Sequence, residues 1–205
     1  MHRRLKKLSL PALFLGSAVL AAIVVGCNQV TVPEGCAVIN GFELERYLGA
    51  WYEIARLENR FERGLTQVSA RYEKRADGAV SVCNRGFRLS SGAWEEARGV
   101  ARFVGQPTEG RLKVSFFGPF YAGYNIIAID ATGYQWAMVA GPTRKYLWIL
   151  ARHKTLPPDV MARLIEQARA QGFDVEKLVR VAHDESLPVA TPPASQGSPS
   201  PMVAP

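Results

Sequence analysis

Eight short segments of alternating apolar and polar residues follow one another between residues 49 and 152, and this run constrains the fold more than anything else in the 205-residue chain. They cover about 50–57, 67–75, 79–87, 93–104, 111–117, 124–130, 134–140 and 146–152, and a period of two reads as half-buried strand. Asp77-Gly78, Ser91-Gly92, Pro107 to Gly110, Gly118-Pro119, Thr132-Gly133 and Gly141-Pro142 turn the chain between them, at hairpin spacing. A longer gap, Leu57 to Thr66, follows the first segment. Consecutive antiparallel strands laid flat leave two open edges, and closing them into an up-and-down barrel removes both. The expected fold class is all-β, an eight-stranded antiparallel barrel. At that strand number the interior either fills with side chains or holds one small ligand.

Two additions follow the barrel. Pro157-Pro158-Asp159 starts a helix with Val160, Met161, Leu164, Ile165 and Ala168 at helical spacing, and Gly172 stops it. That apolar stripe fits packing against the barrel wall. Asp174 to Val181 alternates again and is expected as a short added strand.

The first strand opens Gly49-Ala50-Trp51 and the last ends at Arg152. If first and last strands meet, the Arg152 guanidinium stacks on the Trp51 indole and seals the barrel floor. Gly49, Trp51 and Arg152 are therefore read as structural.

The chain ends carry different information. Residues 1–26 begin with Arg3, Arg4, Lys6 and Lys7, run apolar from Leu8 to Val25, and reach Gly26-Cys27, the layout of an export signal. An uncleaved membrane anchor is the alternative, weakened by Pro11 and Gly16. Val24-Val25-Gly26-Cys27 resembles a lipobox, which implies cleavage before Cys27 and lipidation of its thiol. Residues 27–37 are then a lipidated tether and 38–182 the folded domain. Residues 183–205, rich in Pro, Ser and Ala, are expected to be a disordered tail. Of the net charge of +7, the leader accounts for four and the mature chain keeps +3. Its cations are scattered, so no nucleic-acid footprint is present.

Removing Cys27 from the count leaves Cys36 and Cys83. In an oxidising compartment a disulfide between them and two independent thiols are both open. His2, His153 and His183 are dispersed and no CxxC or HExxH pattern occurs, so neither metal nor cofactor is expected.

Strand alternation converts the barrel into a list of inward positions. Starting from Trp51, it places Glu53 and Ala55 inward, then Ala70 and Tyr72, followed by Val80, Val82 and Asn84. Next come Ala97, Gly99 and Ala101, then Leu112, Val114 and Phe116, then Tyr124, Ile126 and Ala128. Ala137, Val139, Tyr146, Trp148 and Leu150 complete it. A one-residue slip inverts any strand's set. Ala70, Ala97, Gly99, Ala101, Ala128 and Ala137 are too small to fill a barrel, which favours a cavity suited to an acyl chain. The candidate ligand-binding residues are Ala55, Tyr72, Val82, Ala97, Ala101, Val114, Phe116, Tyr124, Ile126, Val139, Tyr146 and Trp148. Glu53 needs a partner or a proton, and a local hydrogen bond near the floor is favoured over a solvated position. Arg63, Lys113 and Arg144 lie near loops, and none is assigned to a headgroup.

A Gly-x-Trp opening, eight strands, a closing helix and a final strand are the organisation of lipocalins. The segments RYLGAWYEIAR (46–56), FERGL (61–65), KVSFFGPFYAGYN (113–125), YLWILAR (146–152) and QGFDVEKL (171–178) resemble the bacterial outer-membrane lipocalins. Apolipoprotein D and the plant temperature-induced lipocalins are more distantly similar. The resemblance covers residues 38–182. It implies a fatty acid or lysophospholipid as ligand, and Asn28 after Cys27 implies outer-membrane sorting. The expected protein is a lipid-anchored binder that stores or transports lipid at the envelope. A homodimer is open. The alternatives are a structural lipoprotein with a filled barrel and an enzyme using a thiol on this scaffold. For the latter, Cys83 points outward and no Ser-His-Asp set or carboxylate pair stands out.

Overall fold

A computed structural model describes residues 30–183. The leader, Cys27 and nearly all of the C-terminal tail lie outside the described residues. After a one-turn helix, α1 (Leu44–Tyr47), come β1 (Gly49–Leu57), β2 (Leu65–Lys74), β3 (Val80–Arg88) and β4 (Ala93–Phe103). β5 (Arg111–Phe117), β6 (Phe120–Ile129), β7 (Trp136–Ala140) and β8 (Leu147–Ala151) complete the barrel. α2 (Pro158–Ala170) and β9 (Leu178–Arg180) follow. Sequential antiparallel pairing runs from β2 to β8, β8 pairs with β1, and β1 with β2 closes the barrel. β6 begins earlier than the alternation indicates because the Gly118-Pro119 turn is tight enough for Phe120 to pair with Phe117.

β1 serves three neighbours. Gly49 to Tyr52 pair with β2, Tyr52 to Arg56 with β8, and Ala55 to Leu57 with β9. Beyond Tyr52, β1 and β2 part, and the chain after β9 enters the seam. There Val181 donates its amide to the Ile54 carbonyl and Gln67 donates to that of Ala182. The expected strand over 174–181 is thus a 3-10 turn at Val175–Lys177 followed by only three strand residues.

Up-and-down order sends successive connections to opposite ends. The β2–β3, β4–β5 and β6–β7 connections lie at the floor with α1. The β1–β2, β3–β4, β5–β6 and β7–β8 connections lie at the mouth. The floor is closed as the sequence indicates: the Arg152 guanidinium stands 3.9 Å from the Trp51 ring centroid. It also donates to the carbonyls of Ala50 at 2.8 Å, Arg46 at 2.6 Å and Tyr134 at 3.3 Å. Trp51 in turn donates its indole N–H to the Tyr47 carbonyl at 2.8 Å. Gly49 sits at φ +93°, where an L side chain is strained.

Two apolar clusters result. One lies inside the barrel around Trp51, Tyr72, Val82 and Ile126. The other lies between the wall and α2, where Met161, Leu164 and Ala168 meet Ile54, Met138 and Ile149. Pro158 sits in the first turn of α2, where its missing N–H costs nothing. Gly172 at φ +80° ends the helix and turns the Phe173 amide back to the Ala168 carbonyl, dropping Phe173 into the second cluster.

Both remaining cysteines are free thiols. Cys36 packs against the helix-side cluster, whereas Cys83 sits on β3 between Arg71 and Arg98 of its neighbours. Cys36 lies ahead of α1 and Cys83 on β3, and no bond joins the two thiols in this structure.

Candidate functional site: the barrel cavity

The barrel encloses a cavity of about 100 Å³. Of the twelve candidate residues, Tyr72, Val82, Ala101, Val114, Phe116, Tyr124, Val139 and Trp148 line it. Four sit elsewhere, each for a local reason. Ala55 faces the α2 layer, because the β1 ladder slips between Glu53 and Ala55 and turns Ile54 and Ala55 outward together. Ile126 is fully buried inside, among the packed floor residues. Ala97 faces the same side as its partner Asn84 but is exposed, since β5 pairs with β4 only from Val100 onward. Tyr146 lies just before β8, stacked on Trp148 with centroids 6.1 Å apart. A second slip, between Ile126 and Ala128, turns Ala128 outward as well.

Small residues do not all leave space. A Cβ on Gly99 would stand 2.9 Å from the Phe116 ring, so Phe116 occupies the volume that Gly99 vacates. This contact and the outward turn of Ala128 account for a narrower cavity than the count of small residues indicates.

The deep end is polar. Tyr124 hydroxyl meets those of Tyr47 at 2.7 Å and Tyr72 at 2.8 Å. Three phenols supply three donors and these two bonds use two, so one O–H has no acceptor within the triad. Burial pushes all three phenols upward in pKa, leaving them neutral donors. Asn84, higher on the wall, has a buried Oδ1 without a protein partner.

Toward the mouth stands a charged cluster. After the β1 slip, Arg56 turns inward and is 1% exposed beside Glu53 at 3%. Arg56 donates to Glu53 Oε1 at 2.9 Å, to Glu58 Oε1 at 3.3 Å, and to the carbonyls of Glu62 and Leu65 at 2.9 and 3.2 Å. Glu62 also lines the cavity, and its Oε2 accepts the Trp148 indole N–H at 2.9 Å and an Asn59 amide hydrogen. Burial raises the Glu53 carboxyl well above the carboxylate range, and the negative charge of Glu62 pushes the same way against the pull of Arg56. Glu53 does find local partners, as expected, but on the mouth side rather than at the floor.

Period-two alternation could not reveal Arg56 or Glu62. The first is inward only because of the bulge, and the second belongs to the long connection. The signal was the length of that connection together with a charged pair three apart in an otherwise apolar strand. Among the cations near loops, Arg63 is exposed at the mouth, and Lys113 lies 4.8 Å from the Tyr121 ring centroid. Arg144 binds the Gln171 and Glu34 carbonyls. None of the three lines the cavity. Among the described residues no group of three or more His, Cys, Asp or Glu is placed to hold a metal, and no helix is long and apolar enough to cross a membrane.

Comparison with known proteins agrees with this geometry. Residues 42–183 match the model of the lipocalin-like domain. The chain is 48% identical over 167 residues to the outer membrane lipoprotein Blc of Escherichia coli K12, covering 82% of this chain and 94% of that protein. It is 33% identical over 180 residues to temperature-induced lipocalin-1 of Arabidopsis thaliana, covering 83% and 92%. Mouse apolipoprotein D is 32% identical over 151 residues, covering 69% and 77%. Among solved structures, insecticyanin of the tobacco hornworm Manduca sexta superposes with a TM-score of 0.62 at 21% identity, over 77% of this chain and 89% of its own. With the closed eight-stranded barrel, the Arg152–Trp51 clasp and the flanking helix, these matches establish that the chain belongs to the lipocalin family.

Proposed function

We propose that this lipocalin is anchored through Cys27 to the outer membrane and holds the acyl chain of a fatty acid or lysophospholipid in its barrel for storage or transport of lipid at the envelope. The observation that carries the reading is an enclosed cavity with walls of Val82, Val114, Phe116, Val139 and Leu150 in a chain 48% identical to an outer membrane lipoprotein. Its narrowness favours one unbranched chain over a fused-ring ligand. Tyr72, Val82, Ala101, Val114, Phe116, Tyr124, Val139 and Trp148 are the proposed contacts. Ala97 and Tyr146 stand at the rim, and Ala55 has no place in the site.

A cavity disfavours the filled-barrel alternative. The thiol-enzyme alternative is disfavoured by Cys83, which faces out from β3 between inward Val82 and Asn84 and whose pKa burial raises.

Native mass spectrometry of the purified protein tests the proposal, followed by delipidation and titration with palmitate and a lysophospholipid. A co-purifying lipid mass and saturable quenching of fluorescence, absent in Trp148→Phe, are expected. A protein that carries no lipid and rebinds none is a filled barrel.

A further inference from the structure

Three of the four large apolar side chains exposed among the described residues stand at one end of the barrel. Phe61 is 59% exposed, Leu89 65% and Phe117 75%; the fourth, Val179, lies on β9. The three come from or border separate connections, β1–β2, β3–β4 and β5–β6, which the strand order brings together at the mouth. The floor connections present Asp77, Gln106 and Thr108 instead. Single exposed apolar residues are ordinary, but their segregation to one end marks a contact surface. Cations share this rim. The Arg60 guanidinium lies 4.7 Å from the Phe61 ring centroid, and Arg63 and Lys145 are exposed. Apolar tips ringed by cations match a lipid interface with anionic headgroups.

The start of the described chain points the same way. Thr31 donates its hydroxyl to the Pro142 carbonyl, in the β7–β8 connection at the mouth, and accepts from Asn125 at 2.9 Å. Cys27 precedes Val30 by three residues, at most about 11 Å of chain.

We infer that the mouth is the face this protein presents to a lipid bilayer, with Phe61, Leu89 and Phe117 entering the interface. The tether from Cys27 rests on the anchored reading proposed above; the segregation of the three tips does not. Docked this way, the end of the barrel that carries the Glu62 connection faces the lipid source, and an acyl chain passes between bilayer and barrel without crossing bulk water. The Phe61 connection is also the one held by Arg56 and Trp148 through Glu62, so the docking surface and the cavity wall share a loop.

The test uses the mature chain with Cys27→Ser, which carries no acyl group, and vesicles of phosphatidylethanolamine and phosphatidylglycerol. Co-sedimentation is expected, and Phe61→Ser, Leu89→Ser and Phe117→Ser together lower the partition coefficient at least tenfold. Val179→Ser leaves it unchanged, and the thermal midpoint of the triple variant stays that of its parent. Vesicle binding that never occurs, or that survives the triple substitution, overturns the inference. A concentration-dependent dimer in ultracentrifugation that the triple variant abolishes, with vesicles ignored, also overturns it and assigns the tips to a second copy. Mass spectrometry of the wild-type chain separates the two proposals: an unacylated Cys27 removes the anchor, while tip-dependent vesicle binding still supports this orientation.

Discussion

The indole N–H of Trp148 lies 2.9 Å from Glu62 Oε2, tying the cavity wall on β8 to the connection that follows β1. The same side chain therefore presents an apolar face to the cavity and fixes the loop over it. Trp148→Phe keeps a ring and removes the donor. It is expected to lose about 1 kcal/mol of stability and to weaken acyl binding several-fold through a looser loop. Titration calorimetry and proteolysis of the 58–64 connection check this; unchanged cleavage would detach Trp148 from the loop.

Arg152→Ala removes a cation–π contact and three hydrogen bonds to carbonyls, all at the floor. A loss of about 2–4 kcal/mol is expected in denaturant unfolding, with palmitate affinity changed less than twofold. An affinity loss at unchanged stability would place Arg152 in the binding site.

In the phenol triad, Tyr124 is the common partner. Tyr124→Phe strands two hydroxyls, whereas Tyr72→Phe leaves the Tyr47–Tyr124 bond intact. The first should cost about 1–3 kcal/mol and the second less. Equal losses in chemical denaturation would mean that the triad does not act through its centre.

Glu53 gives stability a pH dependence of definite sign. Its carboxyl is raised on folding from an ordinary value of 4.5, by burial first and by Glu62 next. Such a group favours the folded state fully below pH 4.5 and loses that contribution as pH rises through the folded value. Arg56, Glu58 and Glu62 face the same cluster, and His183 Nε2 lies 2.8 Å from the Glu53 carbonyl oxygen. Burial lowers the His183 pKa below 6.5, which works in the opposite sense by destabilising the fold as pH falls. Glu53→Gln should therefore flatten the decline above pH 4.5 and leave the histidine limb in place. Superimposable stability profiles for the two proteins would exclude a raised Glu53.

The two described thiols should both titrate with a disulfide reagent after unfolding without reductant. Cys36→Ser with Cys83→Ser should shift the thermal midpoint little, and reductant should not shift it. A reductant-dependent midpoint would restore the disulfide.

Strand number, order of elements, the helix stripe and the Trp51–Arg152 clasp were legible because each rests on a local pattern: period two, period 3.6, turn residues and the two ends of one barrel. Most cavity residues followed for the same reason. Alternation failed where the ladder slips. One inserted position at Glu53/Ala55 sends Ala55 to the helix layer and brings Arg56 inside, and another sends Ala128 out. No composition rule places such a bulge, since it shows only in how β1 pairs with β8 and β6 with β7. Cavity size was equally illegible, because whether Gly99 leaves space depends on Phe116 from the next strand.

The clasp has a bearing on how long the fold lasts. Trp51 and Arg152 are separated by the whole barrel sequence and meet only when β8 finds β1, a contact with a high loop-closure cost that is expected late in folding. Interactions absent from the transition state slow unfolding without speeding folding. The guanidinium under the indole is thus expected to act mainly on the lifetime of the closed barrel, setting how rarely the wall around the cavity comes undone.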